Sequence, residues 1–324
     1  GVIHSFADGR ITDTGPLTRK RMETIDEEVT ARALDFMERA KKADKPFFLW
    51  WNSTRMHVFT HLKAASAGKT GLGIYADGMV EHDGHVGQLL AKLKELGLDQ
   101  NTIVMYSTDN GAETFTWPDG GTTMFRGEKN TNWEGGYRVP TVIRWPGVIK
   151  PGTVINDIGA HEDMLTTFLA AAGDTAVKED LLKGRRIGGT TYKVHLDGYN
   201  LLPALKGEAA WPRREFIYWT DDGSVAALRY DNWKITFLKQ NALGLRVWQE
   251  PFVPLRAPMI TNLRMDPFER AEEENAMGYQ RWYMERMFVI APAGAYVGQW
   301  LQSFREFPPR QKPGSFNLDR VMEA

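Results

Sequence analysis

Asp109 and Asn110, near the middle of the chain, have the side chains of a cation site. They follow a short apolar run at residues 103–106 that is typical of a buried strand. Ligands of open α/β sheets bind beyond the carboxyl ends of such strands. A carboxylate beside an amide oxygen offers the hard ligands that Ca²⁺ or Mg²⁺ prefers. The stretch Asp109-Asn110-Gly111 is also a common turn sequence, and spacing alone favours the turn over the metal site.

His57, His61 and Lys129 are candidates for handling protons or anions. The two histidines follow a second apolar run at residues 47–51, so we expect them at the same edge of the sheet as Asp109. Histidines in such a loop could bind a metal, transfer protons or hold an anion, although a structural role is more common. Lys129 lies in a glycine-flanked loop and could present a point charge to an anion. An exposed loop lysine without a function fits that sequence equally well.

Two further motifs favour structural interpretations. His82 and His85 lie at positions i and i+3 of a predicted helix, where they could share a ligand. A solvated helix face is the favoured interpretation of that pair. Gly135-Gly136 favours a tight backbone turn over a phosphate cradle, because glycine allows backbone conformations that other residues avoid.

The elements that must position these residues alternate between amphipathic helices and buried strands. Helices with an apolar stripe are predicted at residues 24–44, 73–96 and 164–172. Thr24 and Glu27 have the spacing of a capping box, and Gly97-Leu98 is typical of a helix end. Apolar runs typical of strands buried on both faces occupy residues 47–51, 103–106 and 139–145. This alternation predicts an α/β layer with parallel character.

The pattern changes near residues 203–211. Strand-like runs separated by hairpin turn signals follow at residues 216–220, 225–230 and 233–238. A helical stretch over residues 279–304, interrupted near Pro292, is long enough to cover them. We therefore predict a mixed or parallel α/β sheet flanked by helices, plus a smaller C-terminal antiparallel sheet with a long helix. The corresponding domains are residues 1–205 and 206–324.

The composition excludes several classes of protein. The formal net charge of −1 provides no basic field for nucleic acid or for an anionic membrane surface. The chain has no cysteine, which excludes disulfides, thiolate nucleophiles and cysteine-ligated zinc. No apolar run approaches the ~20 residues that are needed to cross a bilayer, so no membrane span is predicted.

Several motifs in a fixed order resemble the distal half of the type I sulfatases, which belong to the alkaline phosphatase superfamily. The most specific are Thr108-Asp109-Asn110-Gly111, Lys129 and the stretch Trp133-Glu134-Gly135-Gly136-Tyr137-Arg138-Val139-Pro140. The similarity extends over nearly the whole chain and implies an alkaline-phosphatase-like sheet. Within the last stretch, Glu134 and Arg138 are expected to organise the loop and not to contact substrate.

The resemblance implies roles for four residues. Asp109 and Asn110 correspond to two ligands of the family's divalent cation, usually Ca²⁺, with Mg²⁺ as the alternative. His57 corresponds to the histidine that contacts the sulfate and protonates the leaving oxygen. Lys129 corresponds to the lysine that binds sulfate oxygens, so both are candidate catalytic and substrate-binding residues. His61 has no assigned role in the family pattern and is expected to be structural.

The implied activity is hydrolysis of a sulfate ester, of the arylsulfatase type. The family's nucleophile is a formylglycine made from Cys or Ser in a C/S-x-P-x-R motif, and this chain contains no such motif. We expect the formylglycine in an N-terminal portion that also completes the sheet and the site, with a second chain as the alternative partner. There are two other hypotheses. The protein is a phosphonate or phosphate ester hydrolase of the same superfamily, or it is a non-catalytic remnant that binds sulfated ligands. Localisation is implied only by the family, whose members are often secreted or periplasmic.

Three tryptophans, Trp117, Trp133 and Trp248, are candidate contacts for the organic part of a substrate. Their rings could stack on a sugar or an aryl group. Packing in the core or at its rim is the more common role of tryptophan and is favoured here. The sequence does not specify which sulfate ester would be the substrate.

Overall fold

The computed structural model describes residues 1–273 and 277–316. The chain divides into two compact units. Unit 1 comprises Gly1–Val104 and Thr114–Gly121, and unit 2 comprises Met105–Glu113 and Thr122–Ala324. No helix in the described ranges is long and apolar enough to cross a membrane. The predicted domain boundary at residue 205 stays a prediction.

Unit 1 consists of a short hairpin and two long helices that pack against each other. Its elements are β1 (Ile3–Ser5), β2 (Ile11–Asp13), α1 (Arg19–Met22), α2 (Ile25–Lys42) and α3 (Ile74–Glu95). The end of α3 confirms the sequence signal, because Gly97 has φ +66° and the Leu98 amide donates to the Leu93 carbonyl over 2.8 Å. The capping box predicted at Thr24 is wrong. Thr24 lies two residues after the end of α1 and has ψ 4°, not the extended ψ of a capping residue, and its side chain makes no capping hydrogen bond.

The strand predicted at residues 47–51 is wrong. The segment is extended, with side chains that alternate between half-buried and exposed, but it forms no ladder with any described strand. Phe48 and Trp50 are 69% and 78% exposed. A strand exists only where a neighbour accepts and donates its backbone hydrogen bonds, and the described part of the chain supplies none here.

Unit 2 contains a two-stranded sheet, a small hairpin, a four-stranded sheet and several helices. In chain order these are β3 (Val104–Ser107), α4 (Glu134–Tyr137), β4 (Thr141–Arg144), α5 (Glu162–Ala171), α6 (Val177–Lys183), β5 (Arg185–Ile187), β6 (Thr190–Tyr192), α7 (Leu202–Leu205), β7 (Glu215–Trp219), β8 (Val225–Tyr230), β9 (Trp233–Lys239), β10 (Val253–Asn262), α8 (Tyr279–Met284), α9 (Ile290–Trp300) and α10 (Ser303–Glu306). Strand β3 begins at the last residue before the unit boundary and pairs with β4. Both lie where the sequence predicted strands, but Val142 is 65% exposed, so burial on both faces was wrong.

The four-stranded antiparallel sheet has the order β10-β9-β8-β7 and confirms the predicted C-terminal sheet. Ile217, Leu228 and Ile235 of this sheet pack against Ala293 and Val297 of α9. Strand β10 is missing from the sequence-based prediction. Two prolines interrupt its apolar pattern, and it is an edge strand with a register shift, which is where prolines are tolerated.

The single helix predicted over residues 279–304 is instead divided into α8, α9 and α10. Pro292 lies in the first turn of α9, where a missing amide hydrogen costs little. The chain therefore starts a new helix around this proline. The covering role predicted for this region is confirmed by the packing of α9 on the sheet.

Candidate functional site

Two loops of unit 2 are joined through their backbones: the acidic loop (residues 109–113) and the lysine loop (residues 125–136). The Gly111 amide donates to the Gly136 carbonyl over 2.9 Å, and the Lys129 amide donates to the Ala112 carbonyl over 3.4 Å. Asp109 and Asn110 therefore lie on a loop that contacts the loop of Lys129. The structure brings these three predicted site residues into one pair of loops.

Glycines make this close approach possible. A Cβ on Gly111 would overlap the Gly135 carbonyl oxygen, and a Cβ on Gly135 would lie 2.5 Å from the carbonyl oxygens of Arg126 and Gly127. A Cβ on Gly136 would clash in the same way with carbonyl oxygens of the lysine loop. Because carbonyl oxygens surround these glycines, the structure agrees with a tight turn and not with a phosphate cradle.

Lys129 places an ammonium group on the lysine loop, close to the acidic loop. Its ammonium group lies 3.7 Å from a carboxylate oxygen of Glu113 and 5.8 Å from the centre of the Trp248 ring. The lysine side chain remains partly exposed. The sequence analysis missed Glu113, because a glutamate two residues after an Asp-Asn-Gly turn has no distinguishing pattern. It also favoured a packing role for Trp248, whose ring here lies beside the candidate lysine.

Asp109 and Asn110 present hard oxygens at the start of the acidic loop. Asp109 is exposed, and the amide nitrogen of Asn110 donates to the Gly111 carbonyl over 2.9 Å, which leaves the amide oxygen as the possible ligand. In residues 1–273 and 277–316, no group of three or more His, Cys, Asp or Glu side chains is arranged to hold a metal. The two donors fit Ca²⁺ or Mg²⁺ in type, but Ca²⁺ takes about 6–8 oxygens.

A buried ionic cluster anchors the lysine loop to the four-stranded sheet. The ammonium of Lys234 on β9 lies 2.7 Å from Glu269 Oε1 and 3.2 Å from Glu134 Oε1. The Glu134 amide also donates to Glu269 Oε2 over 2.6 Å. All three side chains are buried, so each charge depends on the others for its stabilisation.

The two carboxylates of this cluster differ in their surroundings. Burial raises the pKa of Glu134, but Lys234 and Arg229 together with the hydroxyl of Tyr218 outweigh it and lower the pKa to about 2. Burial raises the pKa of Glu269, and so does the nearby carboxylate of Glu134, whereas Lys234 offsets this only in part. Glu134 is therefore firmly ionised, which agrees with its expected role in organising the loop.

Hydrogen bonds to the end of β9 and to Gln240, the residue after it, fix the rest of the lysine loop. The Asn132 amide nitrogen donates to the Leu238 carbonyl over 2.9 Å, and its oxygen accepts from the Gln240 amide over 3.1 Å. The Trp133 indole donates to the Gln240 carbonyl over 3.0 Å. Trp133 is only 2% exposed, so its role is packing in the core.

His57, the fourth predicted site residue, lies in unit 1 on an exposed loop. Its Nδ1 is 3.2 Å from the Val58 carbonyl. The start of this loop is fixed because the backbone amides of Thr54 and Arg55 donate to the carboxylate of Asp26. The Arg55 guanidinium donates in turn to the His61 carbonyl over 3.1 Å, consistent with the structural role expected for His61.

His82 and His85 are buried on α3, so the solvated helix face predicted for them is wrong. His82 Nδ1 lies 2.9 Å from the hydroxyl of Ser53, and its ring stacks on Trp51. The two histidines continue the apolar stripe of the helix toward its N-terminus, and their polar type concealed this in the sequence. Burial lowers the pKa of both imidazoles, which favours their neutral forms.

Comparisons with known proteins agree with this arrangement. The profile of the family described as Sulfatase matches residues 5–174, more than half of the chain. The chain is 32% identical to steryl-sulfatase from Mus musculus, over 72% of this chain and 35% of that protein. It is 30% identical to arylsulfatase A from Homo sapiens, over 74% of this chain and 46% of that protein. It therefore spans half or less of the length of these relatives.

Among solved structures, the PsFucS1 sulfatase from Pseudoalteromonas sp. is similar over 95% of this chain and 58% of that chain. Its TM-score is 0.78 and its sequence identity is 25%. This similarity confirms the predicted alkaline-phosphatase-like α/β fold with its C-terminal antiparallel sheet. From the family match and the shared fold together, the chain belongs to the sulfatase family.

Proposed function

We propose that the complete gene product hydrolyses a sulfate monoester and that the paired loops of unit 2 hold part of its active site. The observation that carries this proposal is the contact between the acidic loop and the lysine loop. It places a carboxylate, an amide oxygen and a partly exposed ammonium on two loops that are fixed to each other and to a buried sheet. A rigid set of charges aimed at one place is what stabilises a transition state that gains negative charge.

Lys129 would bind oxygens of the sulfate group and stabilise the charge that grows on them during attack. His57 would contact the same sulfate and donate a proton to the leaving ester oxygen, as histidine does in general acid catalysis. Glu134 and Arg138 would not touch substrate. Their contact, 3.1 Å from Arg138 Nε to Glu134 Oε2, supports the turn that precedes β4.

Asp109 and Asn110 would supply two oxygens to a divalent cation, with Ca²⁺ preferred and Mg²⁺ as the alternative. A bound cation of this kind would supply Lewis-acid stabilisation of the sulfate oxygens. Two ligands do not fill its shell, so the proposal includes further ligands and the formylglycine from an N-terminal portion or a second chain. The exposed Phe48 and Trp50 support such a partner, because large apolar side chains favour burial.

The two predicted domains would have different roles in this active site. Residues 1–205 would form the distal part of the catalytic domain, and residues 206–324 would form a subdomain that fixes the lysine loop. The ion pair of Lys234 with Glu134 connects these two portions and supports this assignment.

The test is turnover of chromogenic aryl esters by the complete gene product. We expect it to cleave an aryl sulfate faster than the matching aryl phosphate or phosphonate, and to lose activity when a chelator removes divalent cations. Faster turnover of the phosphonate or phosphate would instead assign the protein to a sister activity. Binding of aryl sulfate without turnover of any ester would support a non-catalytic remnant.

A further inference from the structure

Trp248 carries an exposed ring next to the candidate sulfate-binding lysine. The ring is 46% exposed, whereas Trp133 on the lysine loop is buried. Its centre lies 5.8 Å from the Lys129 ammonium, near the outer limit of a cation–π contact, so that contact is weak. A large aromatic ring left in water beside a partly exposed cation needs a further explanation.

The segment that carries Trp248 is fixed to the lysine loop on both sides of Lys129. This segment is a short 3₁₀ helix, Gly244–Trp248. Its Gly244 amide donates to Glu128 Oε1 over 2.7 Å, and the Asn130 side chain donates to the Val247 carbonyl over 2.9 Å. The ring and the ammonium are therefore held by a shared set of hydrogen bonds, and neither is placed by chance on a mobile loop.

The surroundings of the ring are apolar as well. Leu245 in this segment and Leu243 directly before it are both largely exposed. Three large apolar side chains in six residues form an exposed patch at the edge of a polar site, which is the composition of a ligand-binding surface. The neighbouring charge is positive, so the expected ligand combines an apolar face with an anionic group.

We propose that Trp248, flanked by Leu245, is the platform on which the ring of a sulfate ester stacks while Lys129 binds its sulfate group. The substrate class is thus a ring-bearing sulfate monoester, either an aryl sulfate or a sulfated sugar. Rings stacked on an aromatic side chain have centres about 4.5–7 Å apart. A sulfate attached to such a ring is within reach of an ammonium at 5.8 Å. This inference rests on the proposed function through the sulfate-binding role of Lys129.

The first test measures binding of non-hydrolysable sulfonates to the complete gene product by calorimetry, so it does not depend on turnover. Benzylsulfonate presents a ring and methanesulfonate does not. We expect the Trp248→Ala variant to lose about tenfold in affinity for benzylsulfonate, the loss expected for one stacking contact, and to bind methanesulfonate as the unaltered protein does. Trp248→Phe should retain most of the benzylsulfonate affinity, and Phe288→Ala, which removes an exposed ring elsewhere on unit 2, should change neither.

The second test compares kcat and KM for an aryl sulfate, a sulfated monosaccharide and methyl sulfate. Trp248→Ala should raise KM for one or both ring-bearing esters, which identifies the ring type, and leave methyl sulfate unchanged. Equal losses for all three esters, or no change in benzylsulfonate binding, would overturn the platform while leaving sulfate ester hydrolysis intact. An unaltered protein that hydrolyses no sulfate ester would overturn the proposed function, and the calorimetry would still decide the platform.

Discussion

The four-stranded sheet β7–β10 and the two-stranded sheet β3–β4 lie in the same unit but bury their side chains very differently. In the larger sheet, Ile217 and Ile235 are buried under α9. In the smaller sheet, Val142 points its isopropyl group largely into solvent. The larger sheet finds all its strand partners and its covering helix within the described chain, whereas β3 and β4 have only each other there. One sheet is self-contained, and the other presents apolar surface that a partner would cover.

The largest effect is expected from removing the lysine that joins the self-contained sheet to the lysine loop. Lys234→Met leaves Glu134 and Glu269 buried without their shared cation, which should lower the free energy of unfolding by about 3–5 kcal/mol. Lys239→Met is the matched control on the same strand. Lys239 pairs with the partly exposed Glu272, so its loss should cost about 1 kcal/mol or less. Urea unfolding measures the free energy of unfolding of both variants. Equal losses in the two variants would contradict the anchoring role of the cluster.

A smaller effect is expected from separating the two site loops. In Gly111→Ala the new methyl group meets the Gly135 carbonyl oxygen, and the loops must move apart. We expect a loss of about 1–3 kcal/mol in unfolding free energy, together with a loss of sulfate ester turnover in the complete gene product. Gly298→Ala, on the exposed face of α9 with no atom near the new Cβ, should stabilise by about 0.5–1 kcal/mol. Unaltered turnover in Gly111→Ala would show that the active site does not depend on the contact between the two loops.

Unit 1 should lose stability in mild acid because of His82 and His85. Burial lowers the pKa of both below 6.5, more than Asp26 and Glu81 raise it. Above pH 6.5 both histidines are neutral in the folded and in the unfolded state, so their full contribution to stability is present. As the pH falls from about 6.5 through the folded pKa values, the unfolded state binds more protons and stability drops, by at most about 1.4 kcal/mol per pH unit for each histidine.

The measurement is the free energy of unfolding between pH 7.5 and 5.5, followed by a fluorescence or exchange signal from unit 1. The double variant His82→Gln, His85→Gln should show a flatter pH profile than the unaltered chain. His57→Gln is the matched control, because His57 is exposed. A variant profile as steep as that of the unaltered chain would mean that other groups cause the acid sensitivity.

The smallest effect on the 324-residue chain is expected at the exposed apolar surface of unit 1. In the 324-residue chain, Trp50→Ser should change the unfolding free energy by no more than about 0.5 kcal/mol, because the ring is mostly in water. In the complete gene product the same substitution should cost about 3 kcal/mol or more, since a partner segment would bury the ring. Equal small costs in both would contradict the idea that this surface is covered.

The sequence predicted the self-contained part of the fold better than the rest. The hairpin turn at Asp231, which has φ +49°, is a local signal and was recognised. Residues 47–51 have the apolar composition of a strand, but a strand requires a hydrogen-bonded neighbour that composition does not reveal. The buried histidines were missed because their polar type masked their position on an apolar stripe.

The same limit applied at the candidate site. The sequence singled out Asp109, Asn110 and Lys129 as candidates because they form part of an ordered motif along the chain. Trp248 was one of three tryptophan candidates, but the sequence favoured packing for all three, because its segment reaches the lysine loop through contacts such as Asn130 to Val247, 117 residues apart in sequence. Local pattern carries no information about which distant segment will pack against a loop. Tertiary contacts of this kind become visible only in the folded structure.

The most direct test of the central claim is the effect of Lys129→Met on sulfate ester hydrolysis by the complete gene product. Lys129 is partly exposed, so the variant should fold with the thermal stability of the unaltered protein. If the paired loops hold the sulfate, kcat/KM for an aryl sulfate should fall by about 100-fold or more, the scale of losing one preorganised charge. Lys150→Met, at an exposed lysine of the same unit, should leave kcat/KM unchanged. A fall no larger for Lys129→Met than for Lys150→Met would contradict the account.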